Sequence, residues 1–253
     1  MCLHDTDVSL SDCLDELFAE AEEAKEEAMD VFDARIELCT ILGDGAYDPD
    51  VDPEDFDSGP GNTYWPLVVG RTLVFEASTD EGLERIEVST LDETLDVAGF
   101  DCRVVRDVVT LEGELVEDTF DWYSTRENGD VWYIGEIALN YEDGFVTDID
   151  GSWRTGVDGA KPGLTMAACP YPGQAYRQEF LFGEAEDVAR VSAVGLTVTT
   201  PAGTFMNCIE TEEWTPLEPG VYERKFYAPG IGFVKEIKPA TGQVLELVEI
   251  VEP

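Results

Sequence analysis

Residues 102–141, CRVVRDVVTLEGELVEDTFDWYSTRENGDVWYIGEIALNY, decide the fold. Runs rich in β-branched and aromatic residues meet at Glu112-Gly113 and again at Asn128-Gly129, dipeptides that supply positive φ and close a hairpin. Two-residue loops pair 111 with 114 and 127 with 130. Asp121 then falls opposite both Glu136 and Val104, with Arg106 diagonally beside it. One face carries Arg106, Thr119, Asp121, Tyr123, Trp132, Ile134 and Glu136. The other carries Val105, Val109, Leu111, Val116, Phe120, Trp122, Val131, Tyr133, Ile137 and Leu139. The second set is the greasier and is assigned to the core, with Asp107 and Asp118 facing each other as its misfit.

Outward from this stretch the same pattern recurs. Strand-like runs occupy 71–77, 85–90, 175–182, 196–200, 205–213, 222–227, 232–237 and 244–251. Short links such as Ala202-Gly203 and Thr241-Gly242 favour antiparallel neighbours, hence a meander. No helix-length segments alternate with the strands, which argues against a doubly wound nucleotide-binding fold. Towards the N-terminus, Leu14, Leu17, Phe18, Ala21, Ala24, Ala28, Val31, Phe32, Cys39 and Leu42 recur at helical spacing, predicting one amphipathic helix over 11–42. Gly43 suits its C-terminal cap, and its stripe is expected to pack on another element. The expected architecture is α+β: a helix over 1–43, an acidic Pro/Gly connector over 44–61, and a large curved antiparallel sheet over 62–253, either a half-barrel or an open barrel.

The chain carries 56 acidic and 15 basic residues, a formal charge of −41. Such a surface repels phosphate backbones and anionic lipid headgroups, which argues against nucleic acid as a partner. It also repels itself, a strain that high ionic strength screens, so a halophilic setting is expected. No apolar run approaches the ~20 residues of a membrane span. The cysteines at 2, 13, 39, 102, 169 and 208 include no C-x-x-C pair, so structural zinc is not expected. Cys13 and Cys39 lie about 39 Å apart on one helix at 1.5 Å per residue, too far for a disulfide. Cys169 with Cys208 is the first pairing to test, against buried free thiols at Cys102 and Cys208. Cys2 directly after Met1 stands where a lipoprotein's lipid-accepting cysteine would, which makes it a candidate lipid anchor.

The runs NTYWPL (62–67), DWY (121–123), NGDVWYIGE (128–136), GSW (151–153), DGAKPG (158–163) and YAPGIGFV (227–234) resemble a group of uncharacterised bacterial exported proteins and lipoproteins. TPAGTF (200–205) and the Pro-Gly-Ile-Gly turn are similar to envelope proteins with a curved half-barrel sheet, as in the lipoprotein-carrier fold. The resemblance implies export, to the cell envelope or outside the cell, and brings no activity with it.

His4 is the single histidine, so nucleophilic triads and histidine-ligated zinc cannot be assembled. Carboxylates, tyrosines and arginines must supply any chemistry. Arg106, Asp121, Tyr123, Trp132 and Glu136 form the candidate ligand-binding face. Asp121 and Glu136 opposite each other need a cation, an arginine or a shared proton. Asp148-Ile-Asp150-Gly and the run 48–55 are candidate calcium ligands, although Pro53 stands where an EF-hand loop needs glycine. The leading reading is an exported, non-enzymatic binding protein that holds a small or lipidic ligand on the curved sheet. The alternatives are a hydrolase using Asp121 and Glu136, or a surface protein that self-assembles through the helix.

Overall fold

The computed structural model describes residues 10–253, so Cys2 and His4 lie outside the described residues. Two compact units are present, the helix with Pro216–Pro219, and Ala46–Thr215 with Gly220–Pro253. Helix α1 spans Leu10–Leu42 without a break, as the periodicity predicts. Gly43 closes it at φ 101°, a conformation glycine adopts without a Cβ clash, and its N–H donates to the Cys39 carbonyl at 3.1 Å. The expected packing of its stripe holds only in places. Cys13 and Leu38 are buried, whereas Leu14, Leu17, Phe18 and Phe32 are exposed. Alanines at 21, 24 and 28 leave the middle of that stripe with little apolar area to bury.

The second unit is one antiparallel sheet. Its strands are β1 (Phe56–Asp57), β2 (Thr72–Thr79), β3 (Gly82–Val97), β4 (Phe100–Leu111), β5 (Glu114–Arg126), β6 (Val131–Glu142), β7 (Phe145–Asp148) and β8 (Trp153–Arg154). After these come β9 (Gly163–Met166), β10 (Ala175–Arg177), β11 (Val188–Thr200), β12 (Gly203–Trp214), β13 (Glu223–Ala228), β14 (Gly232–Lys238) and β15 (Gln243–Val251). The predicted runs fall on β2 to β6 and β10 to β15. β1, β7, β8 and β9 are too short to show a period-two pattern, which is why sequence reading passes over them.

Two meanders, β2 to β7 and β10 to β15, join where β15 pairs with β2. The sheet is open rather than a closed barrel. Between its two ends, Lys161 bridges Phe180, and Gly163 lies so close to the Gln178 carbonyl that a Cβ would stand 2.0 Å from that oxygen. The expected connector is not featureless. Asp52 caps a turn of 3-10 helix over Pro53–Asp55, and β1 follows it and pairs with β5. Phe56 there packs edge-on against Phe100 and Trp132, with centroids 5.0 and 6.1 Å away. A buried phenylalanine contributes roughly 1.5–3 kcal/mol, enough to hold this acidic segment on the sheet.

Both sides of β4 to β6 are covered. Phe56, Val97, Phe100, Cys102, Trp122 and Trp132 form one core. Leu67, Val105, Tyr123 and Val131 form another, with Trp65 and Tyr133 against it. The greasy set expected on one face is therefore divided, with Val105, Val131 and Tyr133 in the second core and Trp122 in the first. Cys169 and Cys208 are both free, so the pairing chosen for first test is not formed, and Cys102 and Cys208 are buried thiols.

Candidate functional site

The hairpin turns set which side chains meet. At Glu112-Gly113, both with positive φ (51° and 86°), the expected two-residue turn forms and Leu111 pairs with Glu114. A bulge then intervenes: Thr110 pairs with Leu115, but Val109 pairs with Glu117, leaving Val116 as the extra residue. Every later pairing shifts by one. Val105, not Val104, faces Asp121, and Asp107 faces Thr119 rather than Asp118. The shift sends Arg106 to the opposite side, where Nε and Nη2 each bond one Asp118 oxygen at 2.7 Å. The expected reach of Arg106 to Asp121 or Glu136 is thus corrected.

At the second turn the loop is longer than expected. The Arg126 N–H donates to the Asp130 carbonyl, enclosing residues 127–129, with Gly129 at φ 88°. This alone would misalign Asp121 and Glu136. A compensating bulge restores the register, because Trp122 pairs with Gly135 while Tyr123 pairs with Tyr133. Asp121 does face Glu136, as expected. The same bulge places Tyr133, not Trp132, beside Tyr123, and Trp132 turns into the core on the far side.

Asp121, Tyr123, Tyr133 and Glu136 line a cavity of about 420 Å³, a size suited to a small organic ligand. β2 and β3 present Leu73, Phe75, Ile86 and Val88 to it, and Phe233 and Leu245 add to this apolar side. β4 adds Asp107, and the segment before β11 adds Glu179 and Asp187. Glu213, Lys225 and Glu236 also line the cavity. Tyr123 and Tyr133 stack at 4.7 Å, with Trp65 tilted onto Tyr123 at 5.3 Å.

The carboxyl groups sit in unusual electrostatic surroundings. Burial pushes Asp121 up to about 7, although the Tyr133 hydroxyl donates a hydrogen bond to its Oδ1 and pulls the other way. Burial also raises Glu136, reinforced by the charges of Asp121 and Glu179. Asp107 is raised by burial and then by Asp121 and Glu117. Glu179 rises to about 8 through burial and the nearby Asp187, against the indole N–H of Trp153, which donates to its Oε2 at 2.7 Å. Lys225 behaves differently. Burial would lower it, but Glu213, Glu223 and Glu236 outweigh that and hold it well above the ordinary lysine value. Its Nζ lies 3.2, 3.2 and 3.8 Å from those three carboxylates.

Three of the calcium candidates, Asp148, Asp48 and Asp55, already have partners. Asp148 Oδ1 accepts from Asn140 Nδ2 at 2.7 Å and from the Asp150 N–H at 3.1 Å, closing a turn, and Oδ2 accepts from the Thr147 hydroxyl at 3.0 Å. In the 48–55 run, Asp48 pairs with Lys161 at 2.6 Å and Asp55 with Arg126 at 3.2 Å. Among the described residues, no three His, Cys, Asp or Glu side chains form a group that could hold a metal ion.

Several motifs behind the resemblance prove to be structural devices around the cavity. Asn62 accepts from the N–H groups of Tyr64 and Trp65 at 3.0 and 2.9 Å, and its amide donates to the carbonyls of Gly129 and Met166 at 3.1 and 3.0 Å. This loop sets Trp65 against Tyr123. In the 227–234 motif, the Gly230 N–H donates to the Thr63 carbonyl at 2.7 Å, tying the β13–β14 turn to the same loop. Trp153 of the 151–153 motif packs edge-on to Tyr133 at 5.2 Å while holding Glu179.

No protein-family model matches the sequence, and no curated protein matches it. Among solved structures, the chain has a likeness to a candidate lipoprotein from Parabacteroides distasonis, with TM-score 0.41 and 14% identity over 76% of this chain and 100% of that one.

Proposed function

We propose that this is a non-enzymatic binding protein, exported to the cell envelope or beyond it, that encloses a small or lipidic ligand in the cavity of its curved sheet. The cavity carries this reading: about 420 Å³, apolar on the side of β2 and β3, with a few polar groups converging from β4, β5 and β6. Ligand sites have this composition, since apolar walls supply affinity and sparse polar groups fix orientation. The motif resemblance supports export, and a lipid anchor at Cys2 would tie the chain to a membrane surface.

Uptake of the neutral apolar fluorophore N-phenyl-1-naphthylamine tests the reading. Saturable enhancement of its fluorescence is expected, and Val88→Trp, which fills the apolar side, should abolish it without lowering the melting temperature by more than a few degrees. Enhancement that survives Val88→Trp, or that never saturates, would remove the cavity as the receptacle. Hydrolysis of a glycoside that is lost in both Asp121→Asn and Glu136→Gln would instead establish the carboxylate hydrolase.

A further inference from the structure

We infer that the ligand is an organic cation, an ammonium group on an apolar body, and that Asp107, Asp121, Glu136 and Glu179 receive the ammonium. This rests on the reading of the chain as a binding protein and adds the chemical class of what is bound.

The first support is an imbalance of charge inside the cavity. Two basic residues line it, Arg71 and Lys225, and both are committed elsewhere. Arg71 holds Glu252 at 3.1 Å and the Gly230 carbonyl at 2.8 Å. Lys225 serves Glu213, Glu223 and Glu236. Of the five remaining carboxyls, Asp187 is attracted by Lys225 and bonded to Thr215, while Asp107, Asp121, Glu136 and Glu179 have only neutral donors, the Tyr133 hydroxyl on Asp121 and Glu136 and the Trp153 indole on Glu179. Buried acids gathered without a counter-charge exist either as neutral acids or around a cation that arrives from outside.

Two unpartnered oxygens give independent support. Asp107 Oδ1 is buried without a hydrogen-bond partner, and so is the hydroxyl of Thr165, a residue only 4% exposed. Both residues line the cavity. A buried polar atom with no partner points to a group that is missing, and both oxygens can accept. An ammonium offers three donors and a charge, which answers the acceptors and the imbalance together.

The cavity also narrows the kind of cation. A bare metal would leave the Leu73, Phe75, Ile86 and Val88 side unfilled. An anion would meet the four acids directly. An amine with an apolar body uses both sides, with the Tyr123–Tyr133 stack and Trp65 as a wall between them.

Calorimetric titration of the full chain at pH 8 with decylamine, decanol and decanoate tests the assignment. Decylammonium should bind at least tenfold more tightly than decanol, and decanoate should not bind. Asp121→Asn and Asp107→Asn should each weaken decylammonium at least tenfold while leaving decanol unchanged, with thermal melts confirming that both variants are folded. Affinity for decylammonium should also rise from pH 6 to pH 8, because the cation selects the ionised acids. Decanol binding as tightly as decylamine would overturn the cationic ligand and leave the binding-protein reading standing. Unchanged decylammonium affinity in both asparagine variants would remove the four carboxyls as its receptor. Failure of all three probes, together with no uptake of N-phenyl-1-naphthylamine, would overturn both readings.

Discussion

Replacing Asp121 by asparagine should stabilise the protein, and by more at pH 8 than at pH 5. In the folded chain the carboxyl titrates at about 7, against 3.8 for an exposed aspartate. The sign follows from proton binding. Between these two values the native state holds a proton that the unfolded state has released, so stability falls as pH rises, by about 1.4 kcal/mol per pH unit. Below the lower value both states are protonated and nothing is lost; above the upper value the loss is complete, at roughly 4 kcal/mol. Asparagine does not titrate, and its carbonyl can still accept from the Tyr133 hydroxyl. The variant should therefore gain about 2.7 kcal/mol more at pH 8 than at pH 5, the part of the window that lies between pH 5 and 7. Urea unfolding at the two pH values measures this as a difference in midpoint of about 1 M, since slopes are typically 1–3 kcal/mol per molar. Equal gains at both pH values, or destabilisation at pH 8, would show that Asp121 is ionised and well compensated in the native state. That result would refute the argument from burial.

Arg106→Ala should lower stability by roughly 1 kcal/mol or less, because the arginine is 43% exposed, and should leave uptake of the apolar fluorophore unchanged. Lys225→Met should destabilise the fold by about 3 kcal/mol near neutral pH, since it leaves Glu213 without a cation and Glu223 and Glu236 with Lys238 alone, with the loss shrinking in acid as Glu236 takes up a proton; urea unfolding at pH 5 and 8 reads both effects. Gly163→Ala should destabilise by roughly 2–3 kcal/mol in the same assay, because the new methyl group would meet the backbone carbonyl of Gln178. The melting temperature of the unmodified chain should climb with potassium chloride up to molar concentration, given its charge of −41, and a flat salt series would mean that the surface acids are already relieved.

Much of the fold was legible because its signals are local. The helix could be read to within a residue of Leu10–Leu42, since a 3.6-residue period sustained over many turns has few competing explanations. β4, β5 and β6 were legible for the matching reason, a period of two punctuated by Gly-containing turns. β8, with two residues, and β9, with four, offer no period at all. Their places come from long-range contacts, such as those of β9 with β6, which a single sequence does not display. Asp107 and Glu179 escaped for a related reason. Asp107 looked like a misfit in an apolar face, and Glu179 reaches the cavity from a segment far along the chain, so nothing in their neighbouring residues marked them as members of one group.

The site depends on two irregularities that sequence periodicity cannot register. Alternation along a strand assumes one residue per step, and each β-bulge inserts an extra residue that exchanges the faces beyond it. The bulge at Val116 carries Arg106 away from Asp121 and turns Asp107 toward it, so the acids lose the arginine that strict alternation would have supplied. The second bulge offsets the three-residue loop at 127–129. Had either occurred alone, Asp121 and Glu136 would have pointed to opposite sides of the sheet; with both, they remain opposite each other and Tyr133 replaces Trp132 beside them. Asp121 and Glu136 were thus placed correctly by two errors that cancel. An engineered deletion of Ile134, the residue left unpaired by the second bulge, tests this count: it removes the bulge and leaves the loop, so Tyr123 stays opposite Tyr133 and Asp121 opposite Glu136, and the cavity's acids keep to one face. Decylammonium affinity in a folded deletion variant should then stay within a few-fold of the parent. Its loss would show that the register does not follow from this count of residues.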